Sequence, residues 1–173
     1  SLSSYDKGTK GYEGRRYKAD IDEAKKGMEN LFWPVREYNL RQVKNGKKRY
    51  RPRMVLTLGN HEERIIRATN KEPMLDGTIG IEDLGYESFG WEVHQFLEVV
   101  VIDGVAYSHY FTSGAMGYPV GTTTALLNKK HMSCVAGHQQ GKQISTAFRA
   151  DGKQITAIIA GSCYEHNEDY MGP

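Results

Sequence analysis

Disulfides are the first thing this sequence lacks: only Cys134 and Cys163 occur in 173 residues. Two cysteines in apolar, strand-like stretches do not make a disulfide framework, so a reducing cytoplasm is the expected setting. Long apolar runs are missing too. The longest, at 96–102 and 155–160, fall well short of the about 20 residues that span a bilayer, and no membrane partner is expected. Net charge is also small. With 23 Lys and Arg against 21 Asp and Glu, the formal +2 neither demands nor excludes an anionic partner. The chain opens at Ser1 without an initiating Met or a signal-like apolar region, which suggests a fragment, a processed product or a trimmed chain.

What is present is enough for one domain, 1–173, with a real core, given an apolar content of 39%. Residues 1–14, rich in Ser, Gly, Lys and Tyr, read as an irregular lead-in. From 17 to 39, Ile21, Ala24, Met28, Leu31, Phe32 and Val35 recur at helical spacing, and Pro34 is expected to kink or end that helix. A basic loop, 44–53, feeds a strand at 54–58, and 62–69 reads as a short helix with Ile65 and Ile66 inward. Residues 71–90 read as a long loop with about one helical turn. Thereafter strands dominate: 93–101, then Asp103-Gly104 as a hairpin turn into 105–109, a Gly-rich loop at 114–121, a helix at 122–130, and a buried strand at 132–136. Strands at 143–148 and 154–160 around Asp151-Gly152 form a second hairpin. No internal repeat is apparent. Helices interleaved with strands early and hairpins late predict an α/β (mixed α+β) fold with two packed mixed sheets flanked by helices.

Asn60, His109 and His138 share one context: each follows a β-rich apolar segment, and Asn60 and His138 directly follow a Gly. If those strand ends lie on one rim, amide oxygen and imidazole nitrogen converge with His61 beside them. Such donors suit Mn, Fe, Zn or Ni better than Ca. A cation there would polarise a phosphoryl oxygen and acidify bound water, as phosphoester hydrolysis at neutral pH requires. The bland alternative makes Asn60 a helix cap and the histidines strand-end residues. His94, His131 and His166 lack this context and are expected to be structural or exposed.

The block Gly59-Asn60-His61-Glu62 after a strand, a strand-ending His109, and Gly137-His138, in that order, resemble the third, fourth and fifth motifs of the calcineurin-like metallophosphoesterases. Stretches 1–6 and 49–53 are similar to those of phage-encoded members, which implies the cytoplasm of an infected bacterial host. The resemblance covers nearly the whole chain and implies a four-layer sandwich, incomplete at its N-terminus. It implies that Asn60, His109 and His138 bind the second metal of a dinuclear pair, and that His61 protonates the leaving oxygen or stabilises the transition state. This sequence departs from the family at two points. Asp-x-His and Gly-Asp-x-x-Asp, which supply the first metal and the bridging carboxylate, do not occur upstream of Asn60. The usual Gly-His-x-His reads Gly137-His138-Gln139-Gln140, leaving Gln140 as a weak ligand. At most one partial metal site is therefore expected, with hydrolysis of a phosphomonoester or phosphodiester impaired. Sheet edges left open by the missing strands are expected to be covered by a second copy of the chain.

A second function class is a non-catalytic phosphate or nucleic-acid binding module of phage origin. Lys47, Lys48, Arg49, Arg51 and Arg53, with Tyr50 interleaved, could engage phosphates while the ring stacks on a base. The Gly-rich stretch at 114–119 lacks the Gly-Lys-Ser/Thr ending of a P-loop.

Overall fold

The computed structural model describes residues 16–162, so the expectations for 1–14, Cys163 and His166 lie outside the described residues. The described chain divides into two compact units, 16–56 with 61–93, and 57–60 with 94–162. It is mixed α and β, with helices, a two-stranded sheet and a five-stranded sheet. Among the described residues no helix is long and apolar enough to cross a membrane.

The first unit begins with α1 (Tyr17–Lys44), longer than the periodicity predicts and continuous through Pro34. Ile21, Ala24, Met28, Phe32, Val35 and Asn39 form its less exposed stripe at helical spacing. Phe32 packs on Phe89 and Trp91, with ring centroids 6.0 and 5.5 Å away. Pro34 does not end the helix because it lies on the exposed side, where water can solvate the carbonyl its missing N–H leaves unpaired. The helix closes in a Schellman motif: Lys47 N–H donates to Gln42 C=O (2.8 Å) and Gly46 N–H to Val43 C=O (3.0 Å), with Gly46 at φ 67°. After β1 (Val55–Thr57) comes α2 (Glu63–Lys71), which buries Ile65. The expected loop at 71–90 contains three short 3-10 turns, Pro73–Leu75, Ile81–Leu84 and Tyr86–Phe89, followed by β2 (Glu92–His94), the partner of β1.

The second unit corrects one predicted strand. Residues 93–101 do not run straight; β2 and β3 (Val100–Ile102) are separate elements. Between them Glu98 caps its own turn, one carboxylate oxygen accepting from Gln95 N–H (2.9 Å) and the other 2.8 Å from His94 Nδ1. Local side-chain bonds of this kind compete with the strand ladder, and Leu97 at φ 66° completes the break.

The hairpin expected at Asp103-Gly104 forms, both residues at positive φ, joining β3 to β4 (Val105–Ser108). Next come α3 (Thr123–Lys130), capped by Thr122 Oγ1 accepting from Ala125 N–H, then β5 (Ser133–Ala136), β6 (Gln143–Phe148) and β7 (Gln154–Ile159). The sheet order is β3-β4-β5-β7-β6, with β4, β5 and β7 parallel in the middle. Leu126 and Leu127 of α3 share one buried cluster with Ala106, Cys134, Ala136, Ile155, Ala157 and Ile159. Burial there pushes the Cys134 thiol up, as suits a core residue rather than a nucleophile. Edge strands β3 and β6 carry exposed Val101, Ile144 and Phe148.

Candidate functional site

Parallel register decides where the chemistry lies. Ser108 of β4 stands opposite Ala136 of β5, so the residues that follow, His109 and Gly137-His138, leave the sheet at one rim. Gly137 N–H donates to His109 C=O at 3.0 Å and carries the pairing one step beyond the strands. The carboxyl ends of parallel strands are where open α/β sheets place ligands.

At this rim His109 Nε2 lies 2.8 Å from Asn60 Oδ1 and 3.0 Å from His138 Nδ1. Asn60 and His109 are half-buried and His138 is exposed. One ring nitrogen cannot satisfy both neighbours with a straight bond, because it offers one proton or one lone pair. The same spacing fits a shared cation. Two donors at right angles about 2.1 Å from an ion are about 3.0 Å apart, the separation seen here. The amide oxygen and two imidazoles therefore fit a borderline divalent ion. Among the described residues there is no group of three or more His, Cys, Asp or Glu side chains that could hold a metal, and Asn60 supplies the third donor here.

Aromatic packing fixes the two rings. His109 and His138 meet edge to face at 4.9 Å, Phe96 and Tyr110 lie 5.8 Å from the His109 ring, and Tyr110 lies 4.8 Å from that of His138. The Tyr110 hydroxyl donates to Gly117 C=O (3.3 Å), so the Gly-rich loop and the imidazoles share one support. Sequence reading missed Phe96 and Tyr110; the only signal was the position of Tyr110 directly after His109. Gln139, also missed, donates from Nε2 to Val120 C=O at 3.1 Å.

The backbone of His138 is unusual. It has φ 41° and sits at the centre of a three-residue turn closed by Gln139 N–H on Gly137 C=O at 2.5 Å. A side-chain-bearing residue at positive φ in so tight a turn is strained, and such strain clusters at functional sites.

The other predicted residues divide. His61 belongs to the first unit, where its Nε2 lies 3.3 Å from Arg64 Nη2. Guanidinium can only donate, so in this contact Nε2 is the acceptor. Gln140 is exposed; its backbone carbonyl accepts from Ser162 N–H at 2.9 Å, and among the described residues its side chain makes no hydrogen bond. Glu62, the last residue of the Gly-Asn-His-Glu block, accepts from the Tyr86 hydroxyl at 3.2 Å. Burial, then the Glu62 charge, pushes the Tyr86 hydroxyl well above the usual tyrosine range. Arg53 makes a two-pronged bond to Glu92, while Lys47, Lys48, Arg49 and Arg51 are exposed.

No protein-family model, curated protein or solved structure matches this chain.

Proposed function

We propose that the chain carries the second-metal half of a calcineurin-like metallophosphoesterase site, on that family's sandwich fold, and acts on a phosphoester with impaired turnover. The observation that supports this reading best is the meeting of Asn60 Oδ1 and His138 Nδ1 around His109 Nε2, at 2.8 and 3.0 Å. The motif order that suggested these residues and the rim at which they meet are independent of each other. Asn60, His109 and His138 would hold one divalent transition cation. When bound, such an ion supplies a Lewis acid for a phosphoryl oxygen and acidifies water. Phe96 and Tyr110 keep the imidazoles oriented, and the His138 turn holds Nδ1 toward His109. The role of His61, proton donation to the departing oxygen or stabilisation of the transition state, rests on the motif.

Calorimetric titration with MnCl2, followed by hydrolysis of chromogenic phosphomonoesters and phosphodiesters in Mn2+, tests the reading. The expected result is one Mn2+ per chain, lost in His109→Ala, with slow hydrolysis abolished by His61→Ala and by His138→Ala. Failure to bind Mn2+, or hydrolysis indifferent to both substitutions, overturns it. Mn2+ binding without hydrolysis favours the non-catalytic module.

A further inference from the structure

Two anchors hold the basic segment after α1 in place. The Schellman motif fixes Lys47 at one end. Three residues on, Asn39 of α1 grips the backbone of Tyr50 from both sides, Oδ1 accepting from its N–H (2.7 Å) and Nδ2 donating to its C=O (2.9 Å). The stretch 41–53 contains no Asp or Glu. Arg53 is committed to Glu92, but Arg41, Lys44, Lys47, Lys48, Arg49 and Arg51 are all exposed and have no ion-pair partner among the described residues. A helix C-terminus is served by cations in its last turn, which Arg41 and Lys44 supply. Lys47, Lys48, Arg49 and Arg51 lie past that turn, where their mutual repulsion has no such compensation.

We propose that this strip binds the phosphate backbone of single-stranded nucleic acid, with the Tyr50 ring stacked on a base. Tyr50 is 56% exposed, flanked by Arg49 and Arg51, and its backbone is clamped, so ring and cations project from a fixed point. A cation–ring–cation order matches the phosphate–base–phosphate order of a single strand, whose unpaired bases offer a face to an aromatic side chain. A lipid surface fits less well, because the segment past the helix, 45–53, carries no aliphatic side chain to insert, and the exposed Leu40 and Val43 belong to α1 itself. The inference goes beyond the phosphoesterase reading and needs neither metal nor turnover.

Fluorescence anisotropy of a labelled oligothymidylate, with the full chain in EDTA across a KCl series, tests it separately from hydrolysis. Saturable binding is expected, with log K falling against log salt at about −0.7 per phosphate contacted, or about −3 for four contacts. The combined variant Lys47→Gln, Lys48→Gln, Arg49→Gln, Arg51→Gln binds at least about tenfold more weakly with a flatter slope. Tyr50→Ala weakens binding by about 5- to 100-fold and leaves the slope unchanged. Circular dichroism shows both variants folded, since every altered side chain is exposed. Absence of saturable binding at low salt, or wild-type affinity in the fourfold variant, overturns the proposal. So does binding to phosphatidylserine vesicles without binding to the oligonucleotide.

Discussion

Gly161 stands so close to Gln140 that a Cβ built on it would lie 3.0 Å from the Gln140 carbonyl oxygen and 3.0 Å from Lys142 N. Both obstacles are backbone, and Gly161 has φ 79°, so neither relaxation nor a rotamer change admits a side chain. The neighbouring Ser162 N–H donates to the same Gln140 carbonyl, which ties this strand-end segment to the loop carrying His138. Gly161→Ala is expected to cost more than about 2 kcal/mol in urea unfolding, from the left-handed backbone and the contact together. Gly137→Ala is the control: its Cβ would meet His109 O and Nδ1 at 3.8 and 3.9 Å, ordinary contacts, so stability should change by no more than about 0.5 kcal/mol. Equal costs for the two would refute the assignment.

His138→Gly separates strain from ligation. Removing the side chain relieves a positive-φ backbone, which costs about 1–3 kcal/mol, against about 0.5–1 kcal/mol of added chain entropy. The variant is expected to be as stable as the wild type, or about 1 kcal/mol more so, while losing its Mn2+ titration. Loss of stability together with metal binding would make His138 a packing residue.

Phe96 and Tyr110 act on the site through its rings. Phe96→Ala leaves Asn60, His109 and His138 in place but frees the His109 ring on one side. If the site holds Mn2+ as proposed, loss of this packing, which is weaker than a hydrogen-bonded support, is expected to lower the affinity by up to about 10-fold in direct titration, with the stoichiometry unchanged. Tyr110→Phe, which keeps the ring contacts and loses only the bond to Gly117, is expected to stay within about fivefold of wild type, since one part-buried neutral hydrogen bond is worth about 0.5–1 kcal/mol.

How much of this was legible in the sequence depended on the range of the forces involved. Asp103-Gly104 and Asp151-Gly152 were readable because turn chemistry is local. The rim was readable in outline, since Asn60, His109 and His138 each follow an apolar strand. Their convergence was not, because it rests on the parallel register of β4 and β5, set by packing of α3 across the sheet. The break at 95–98 escaped because 93–101 has strand composition throughout, and only the reach of the Glu98 carboxylate back to Gln95 and His94 interrupts it. The expectation that Pro34 could end α1 failed for the opposite reason: a local rule gave way to the packed stripe of the helix on either side of it.

Tyr17 and Asp83 provide a pH test of the first unit. The Tyr17 hydroxyl donates to Asp83 Oδ2 at 2.7 Å, and the same oxygen accepts from Gly80 N–H at 2.9 Å. The Tyr17 bond, then the Gly80 N–H, holds the Asp83 carboxyl below the usual carboxylate range. Its contribution is therefore present above the unfolded value of about 4 and lost as pH falls through the lower folded value. Burial first, then the bond to Asp83, pushes Tyr17 up to about 12, so its contribution is present below the unfolded value and lost as pH rises through about 12. Between these limits Tyr17→Phe is expected to cost about 1–2 kcal/mol, the scale of a partly exposed hydrogen bond to a charged group. The cost should shrink at both ends of the range, as pH falls through the lowered Asp83 value and as it rises through about 12, because protonated Asp83 accepts weakly and tyrosinate cannot donate. Urea unfolding of wild type and Tyr17→Phe across a pH series from acid to alkaline measures it; a difference that stays constant across the series would mean the bond to Asp83 contributes nothing, since the substitution keeps the ring.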